Sequence, residues 1–478
     1  MRRKLLGLIV ALMAMSGIGL YIAYDAMDRT PGELLRYAER RLLGHPKLES
    51  VFVPAIHWAR RHIERPVADL DPAIQWRGAT ADFSPRPPAD ASLAALEGQA
   101  KLPGSGVIKL VSSTQALIDA IASARPGDDI VIAAGRYRLS GQSLLTKAAG
   151  LKSAPIVVRA RKLGEVLLEF NLLEGFHVLH SNWVFENLEI TGACSSDDNC
   201  EHAFHVAGNA HSTVIRNNRI RDFNAHIKVN GMGGAYPDFG VIEANTLFNS
   251  RARKTANPVT PVDIVGANGW QVLDNFIADF VKLGGNQVSY GVFIKGGGSG
   301  GRVERNMIVC ALNLQNQAGL RVGLSFGGGG TGADYCRGGA CAFEHDQGFA
   351  ANNVIAHCND FGLDVNRSKN ITLVHNTLIN TAGIDIRNFP ASAAVSNNLI
   401  EGRIRERAGG WFIGANNWQG SAHELFAEPD TLDFRDPKWP SEVPVLAAVP
   451  QDICGEPRRG VTRPGAIAGR AICLLRPQ

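Results

Sequence analysis

The sequence has little net charge: 49 Lys and Arg stand against 45 Asp and Glu, a formal +4 over 478 residues. A dedicated nucleic-acid binder carries a clustered basic excess, so that class is set aside, while a local basic groove is not. Aromatics make up only 7% and charged residues 20%, against 45% apolar residues. The chain is therefore globular and not disordered. No C-x-x-C spacing occurs among the eight cysteines, which weakens a zinc clip. Asn-Gly and Asp-Gly pairs are few, so a run of tight β-hairpins is not indicated. What is plentiful is glycine, 52 residues with 23 Pro and no collagen period, which implies many turns.

Arg2, Arg3 and Lys4 precede an uncharged apolar run from Leu5 to Tyr24. Its 20 residues match a bilayer core. Residues 1–30 thus read as a signal anchor with the basic flank inside, which puts the bulk of the chain in the periplasm or outside the cell on an inner-membrane stem. A cleaved signal peptide and secretion are the alternative. An even cysteine count fits an oxidising compartment. Cys194 with Cys200, Cys336 with Cys341, and Cys454 with Cys473 would close loops. Cys310 and Cys358 can meet only if their strands are neighbours.

Residues 31–106 read as a juxtamembrane region, helical from Gly32 to Ile63 and then a Pro-rich linker around Phe83–Asp90. From residue 107 the pattern changes. Ser113 to Arg125 is a short amphipathic helical cap with a Ser at its start. Pro126-Gly-Asp128 breaks it, and Ile130 opens a strand. Asparagine then recurs in an apolar-x-x-Asn-x-apolar setting at Asn187, Asn218, Asn245, Asn275, Asn306, Asn353, Asn376 and Asn398. A repeat of short strands at such intervals implies a stacked solenoid, an all-β parallel β-helix over 107–430 with a tail over 431–478. Asparagine suits its bends because it tolerates left-handed backbone and can bond along the stack.

Strand alternation sorts the side chains. Phe204, Val206, Ile227, Val229, Val262, Ile264, Val292, Ile294, Leu320, Val322 and Leu324 point inward. His205, His226, Lys228, Asp263, Phe293, Lys295, Arg321, Ser325, Asp364, Asn366 and Arg387 then form an outward polar stripe. Gly-rich loops at Gly231, Gly296 and Gly327 leave it open or let backbone approach it. Asp197, Asp198, Glu201 and His202, between and beside two cysteines, could hold a divalent cation such as Ca²⁺.

The segment Ala-Ile-Ala-Ser-Ala-Arg-Pro-Gly-Asp-Asp-Ile-Val-Ile-Ala-Ala-Gly-Arg-Tyr, Ala120–Tyr137, resembles the opening coil of pectin-lyase-like right-handed parallel β-helix proteins, nearest the alginate lyase and chondroitinase B group. The resemblance spans about residues 107–430. It implies cleavage of a uronate-containing polysaccharide by β-elimination, with a Lys base and an Arg on neighbouring coils and, in many members, calcium. Phe293-Ile-Lys-Gly296 is similar to the family's lysine strand, making Lys295 the base. Gly319-Leu-Arg-Val322 is similar to its arginine strand, making Arg321 the partner. The acidic calcium ligands that precede the family's lysine are missing from Asn286–Phe293.

Elimination itself needs a base for the C5 proton and a cation on the carboxylate. His226, Lys228 and His205 are alternative bases, and Asp263 can orient one of them. Phe293, Ser325, Asp364, Asn366 and Arg387 would line the sugar track. Two other functions remain open: a non-catalytic polysaccharide binder or envelope scaffold, and a glycoside hydrolase with paired carboxylates.

Overall fold

The computed structural model describes residues 46–63 and, apart from residues 316, 329–330, 427–428 and 435–436, residues 106–469, with a few isolated positions before residue 80. The expected anchor over residues 1–30, the Pro-rich linker and most of the stretch before Pro46 lie outside the described residues. Among the described residues no helix is long and apolar enough to cross a membrane. The chain divides into two units, residues 1–67 and 68–478. In the first, a helix runs Pro46–Ile63 with Pro54 inside it.

The second unit is a parallel β-helix. Its short strands form three parallel sheets of 12, 10 and 11 strands, in which each strand pairs with its counterparts one coil before and one coil after. His202–Ala207, for instance, pairs with Glu174–Val178 on one side and Ala225–Asn230 on the other. The three inner faces enclose one continuous apolar core. The helix Thr114–Ala122 closes the first coil. The Ser113 hydroxyl accepts from the Ala116 amide at 3.1 Å, and Leu117 and Ile121 join the core. At the far end the tail docks on the coils, with Val449 packed among Ala351 and Val374.

A ladder of asparagines ties the coils together. Each of Asn218, Asn245, Asn275, Asn306, Asn353 and Asn376 donates its backbone N–H and its amide to the next asparagine's Oδ1, at 2.8–3.1 Å. Asn398 does the same to Asn417. Two details differ from the sequence reading. Asn187 stands one residue ahead of the ladder, where Leu188 donates to Asn218 instead. The left-handed residue is also not the ladder asparagine but the one before it: Asn217, Ala244, Asp274, Arg305, Asn352, His375 and Asn397 all have φ between 52° and 58°. The ladder residue is selected by its amide, which is donor and acceptor at once.

The cysteines join as Cys194–Cys200, Cys336–Cys341 and Cys310–Cys358. The last pair meets because its residues follow paired strands of consecutive coils. Cys454 is also disulfide-bonded; Cys473 lies outside the described residues.

Strict alternation fails at one column of the ten-stranded sheet. The register stacks Gly175, Ala203, His226, Pro261, Gly291, Gly323, Gly362 and Gly383 at one position. The residue after each, from Phe176 to Ile384, faces the core. So does the column itself. A Cβ on Gly323 would lie 2.3 Å from Ile355 Cγ2, and one on Gly291 2.8 Å from Ile308 Cγ2. Two successive inward positions fold the sheet at a corner, and the alternation restarts one residue out of step. Glycine or alanine fills most of these places, and His226 and Pro261 fill the others.

Asn275→Ala removes the acceptor for two buried donors of Asn245. It is expected to cost about 2–4 kcal/mol, read as a lowered calorimetric midpoint. Asn187→Ala, outside the ladder but at a left-handed position whose Oδ1 accepts from the Asn217 amide, should cost about 1–2 kcal/mol.

Candidate functional site

Downstream of the corner, register brings one row into line: His177, His205, Lys228, Asp263, Phe293, Ser325, Asp364 and Asp385, one per coil. Neighbours are about 4.8 Å apart along the stack. Lys295 stands two residues further along its strand, Val288–Lys295.

The centre of this row opens into a cleft of ≈ 490 Å³. Its charged lining is Lys228, Lys282 and Lys295 with the single carboxylate Asp263. Lys228 Nζ donates to Asp263 Oδ2 at 2.5 Å, and Lys295 Nζ lies 3.9 Å from Asp263 Oδ1. Asp263 is buried. Burial opposes its charge, but the two ammonium groups prevail and hold its pKa below the usual carboxylate value. Burial pushes the Lys295 pKa down, Asp263 pushes it back up, and the nearby Lys228 charge lowers it again; the net direction is down. Lys282 is 4% exposed and donates to Asn286 Oδ1 at 2.9 Å. Its pKa is lowered by burial alone.

The floor is aromatic. Tyr290 stacks on Phe293 with centroids 4.0 Å apart and planes 12° from parallel, and the Lys295 ammonium lies 4.0 Å above the Phe293 ring. The loop after the strand Leu320–Phe326 forms the roof. Its backbone passes so near that a Cβ on Gly328 would meet Phe293 Cζ at 2.3 Å. Glu344 pins this loop, accepting from Thr331 Oγ1 at 2.6 Å and from the Gly296 amide at 3.1 Å. A second hollow of ≈ 360 Å³ continues the cleft, sharing Asn230 and Tyr335.

Lys228, Asp263, Phe293 and Lys295, placed on one face by sequence, therefore meet here. The other expected site residues are elsewhere. Arg321 is opposite Ser289, not Lys295. Six positions separate it from Lys295's level, roughly 20 Å of strand. It lies before the corner column, so its parity is reversed. It is buried, and its guanidinium donates to the Gln317 carbonyl at 3.1 Å. For the same reason Val322 leaves the core and packs with Tyr290 and Phe361. His226 occupies the corner column itself. It is fully buried with Nε2 2.9 Å from the Phe248 carbonyl oxygen, and burial drops its pKa to about 4. It is withdrawn as a base.

Ser325, Asp364 and Asn366 are buried and bonded internally. Ser325 donates to the Gly327 carbonyl, Arg387 grips Asp364 with two bonds of 2.9 Å, and Asn388 donates to Asn366. They do not line the cleft. His205 belongs to a neighbouring cluster with Glu174 and His177. The acidic loop is also engaged otherwise. Asp197 binds Arg251 and Arg253, Asp198 accepts from Thr255, Glu201 accepts from Asn257, and His202 faces the Ala225 carbonyl. Guanidinium groups stand where Ca²⁺ was expected.

A calcium ion does not fit the cleft either. It takes six to eight oxygens with several carboxylates, whereas Asp263 is the one carboxylate among the described lining residues and two ammonium groups claim it. Lys282 and Tyr290 went unrecognised in the sequence. Lys282 lies outside a named strand, and strict alternation from Val292 and Ile294 turns Tyr290 inward, which the corner column reverses.

No family model matches the chain, and no curated protein matches its sequence. Solved structures do. The chain is similar to a crystal structure of pectate lyase Pel9A, with 14% identity, TM-score 0.50 and coverage of 76% of this chain and 90% of that one. It is also similar to an alginate lyase from Paenibacillus sp. str. FPU-7, with 16% identity, TM-score 0.41 and coverage of 66% and 98%. A rhamnogalacturonan lyase gives 13% identity, TM-score 0.45 and coverage of 66% and 90%. What the chain shares with the pectate lyase is the fold, a parallel β-helix.

Asp263 titrates lower in the folded state than unfolded, so its stabilisation is present above the usual carboxylate pKa and lost as pH falls through the folded value. The stability gap between wild type and Asp263→Asn should therefore be constant above about pH 5 and shrink below the ordinary Asp value. Denaturant titrations across pH 2.5–6 check this; a gap that widens with acid would refute the assignment.

Proposed function

We propose that this chain cleaves a uronate-containing polysaccharide by β-elimination in the cleft over the strand Val288–Lys295. The observation that carries this is the charge imbalance: three lysines against one carboxylate over an aromatic floor. Such a site attracts an anionic chain and offers a ring face on which sugar C–H groups can lie.

Lys295 is the base. Its lowered pKa raises the neutral fraction, and its seat on the Phe293 ring holds Nζ at the floor of the cleft, below the bound sugar. Lys282, which has no carboxylate within ion-pair distance among the described residues, holds the substrate carboxylate. Lys228 is fixed by Asp263 and adds positive potential where the enolate forms. Lys295 takes the C5 proton and electrons move onto the carboxylate; they then return to form the C4–C5 double bond as the C4–O bond breaks, and the departing oxygen takes a proton from water, leaving an unsaturated uronate. A hydrolase would need a second carboxylate across the scissile bond, and the described cleft lining holds Asp263 alone. The stacked Tyr290–Phe293 pair favours a binding module as the second reading, because a platform suffices for binding without chemistry. We further place the chain outside the cytoplasm, tethered by residues 1–30; the paired cysteines support this.

The full chain, incubated with alginate, pectate, chondroitin and glucuronan, should generate ultraviolet absorbance from unsaturated product. Lys295→Ala and Lys282→Ala should each reduce kcat/KM by about 10²-fold or more, while Arg321→Ala should alter unfolding and leave the chemical step. Because Lys228 depresses the Lys295 pKa, Lys228→Gln should move the acid limb of the rate profile to higher pH. Retained binding without product across the panel would replace the lyase with the binding module.

A further inference from the structure

Beside the lysine cleft lies a second polar group that elimination does not use. Glu174 and His177 sit on the strand Glu174–Val178, and His205 on the next coil. Three residues normally separate opposite faces of a strand. Here the corner column at Gly175 intervenes, so Glu174 and His177 come to the same face. His177 and His205 are register partners with rings stacked 4.8 Å apart and 11° from parallel.

We propose that Glu174, His177 and His205 bind one divalent transition-metal ion of zinc-like ligand preference. One donor atom from each lies within 4.8 Å of the others. His205 Nδ1 is 2.8 Å from Glu174 Oε1, and His177 Nδ1 is 3.4 Å from Glu174 Oε2. Asn230 sets the tautomer. Its amide nitrogen donates to the Gly231 carbonyl at 2.9 Å, which turns Oδ1 toward His205 Nε2 at 2.8 Å. Nε2 therefore carries a proton that Asn230 accepts, which leaves Nδ1 facing the carboxylate oxygen at 2.8 Å. That separation needs a cation shared between nitrogen and oxygen, and either a proton or a metal ion can be that cation. An amide-anchored imidazole facing a carboxylate is how metal-binding histidines are oriented.

Ligand chemistry narrows the ion. Two imidazoles with one carboxylate suit Zn²⁺, Co²⁺, Ni²⁺ or Cu²⁺, whereas Ca²⁺ and Mg²⁺ take oxygen. The three side chains are 22%, 22% and 12% exposed, so an ion can enter from solvent and retain a water position. His205 is the register partner of Lys228, and Asn230 lines the lysine cleft, so the metal would mark one end of the same track. The site does not depend on the elimination chemistry.

The test uses the untagged full chain, stripped with chelator and titrated with Co²⁺ alone, followed by Zn²⁺ competition. One equivalent of Co²⁺ should bind with a visible absorption band that Zn²⁺ displaces and millimolar Ca²⁺ does not. His177→Ala, His205→Gln and Glu174→Gln should each weaken binding roughly tenfold or more, with thermal midpoints confirming that the variants fold. Folded wild type that binds no stoichiometric metal would overturn the site and leave a shared proton as the cation. Binding unchanged in all three variants would overturn it equally, by locating the metal elsewhere.

Discussion

Everything in this molecule depends on coil-to-coil register. A parallel β-helix has no hairpins to fix which residue faces which, so each coil must find its place against the preceding one along its whole circumference. Backbone pairing alone is indifferent to a shift by one residue. The asparagine ladder removes that freedom. Its amides bond to the next asparagine's Oδ1 and to a backbone carbonyl, such as Asn245 to Ile215, so a slipped coil leaves buried donors without acceptors. Once the ladder sets the phase, the row from His177 to Asp385 follows without further instruction, and residues distant in sequence come to lie on one track.

The same register makes the corner column a shared requirement. A strand that turned the corner one residue early would send its bulky residue into Ile355 or Ile308. Glycine at 291, 323, 362 and 383 meets this by having no side chain. His226, in the same column, is instead accommodated as a buried ring with Nε2 against the Phe248 carbonyl, and burial drops its pKa to about 4. The corner also has a functional consequence. By restarting the alternation it places Tyr290 beside Phe293, and Glu174 beside His177. Either pair would be split across the sheet by strict alternation.

This is also where sequence reading reached its limit. Periodicity and the asparagine spacing made the solenoid legible, and alternation downstream of the corner put His205, Lys228, Asp263, Phe293 and Lys295 on one face. Upstream of it the same rule inverted Arg321 and Val322, because two consecutive inward residues look identical in sequence to an ordinary alternating pair when one is glycine. Ser325, Asp364 and Asn366 have the right parity but lie under a roof loop, and parity carries no information about what covers a face. Lys282 could not be read from any strand pattern. Its importance lies in having no carboxylate within ion-pair distance among the described residues, and that is visible only once the coils are stacked.

Compensation of charge explains why one stretch of the row is a site and the rest is structure. Toward the C-terminal coils Asp364 and Asp385 are matched by Arg387 and Arg407 in two-pronged pairs. Planar guanidinium groups saturate planar carboxylates, and little potential remains for a ligand. At the centre the arithmetic changes. Asp263 is shared by two lysines, whose point charges cannot close a bidentate pair, and Lys282 adds a third. Burial resists the charges of Lys282 and Lys295, so the uncompensated positive potential is both costly to the fold and strong in a partly water-excluded space. Under the proposed elimination, a carboxylate-bearing chain would relieve that cost on arrival, and the guanidinium-sealed coils beside the cleft would confine the anion to the stretch where Lys295 can reach it.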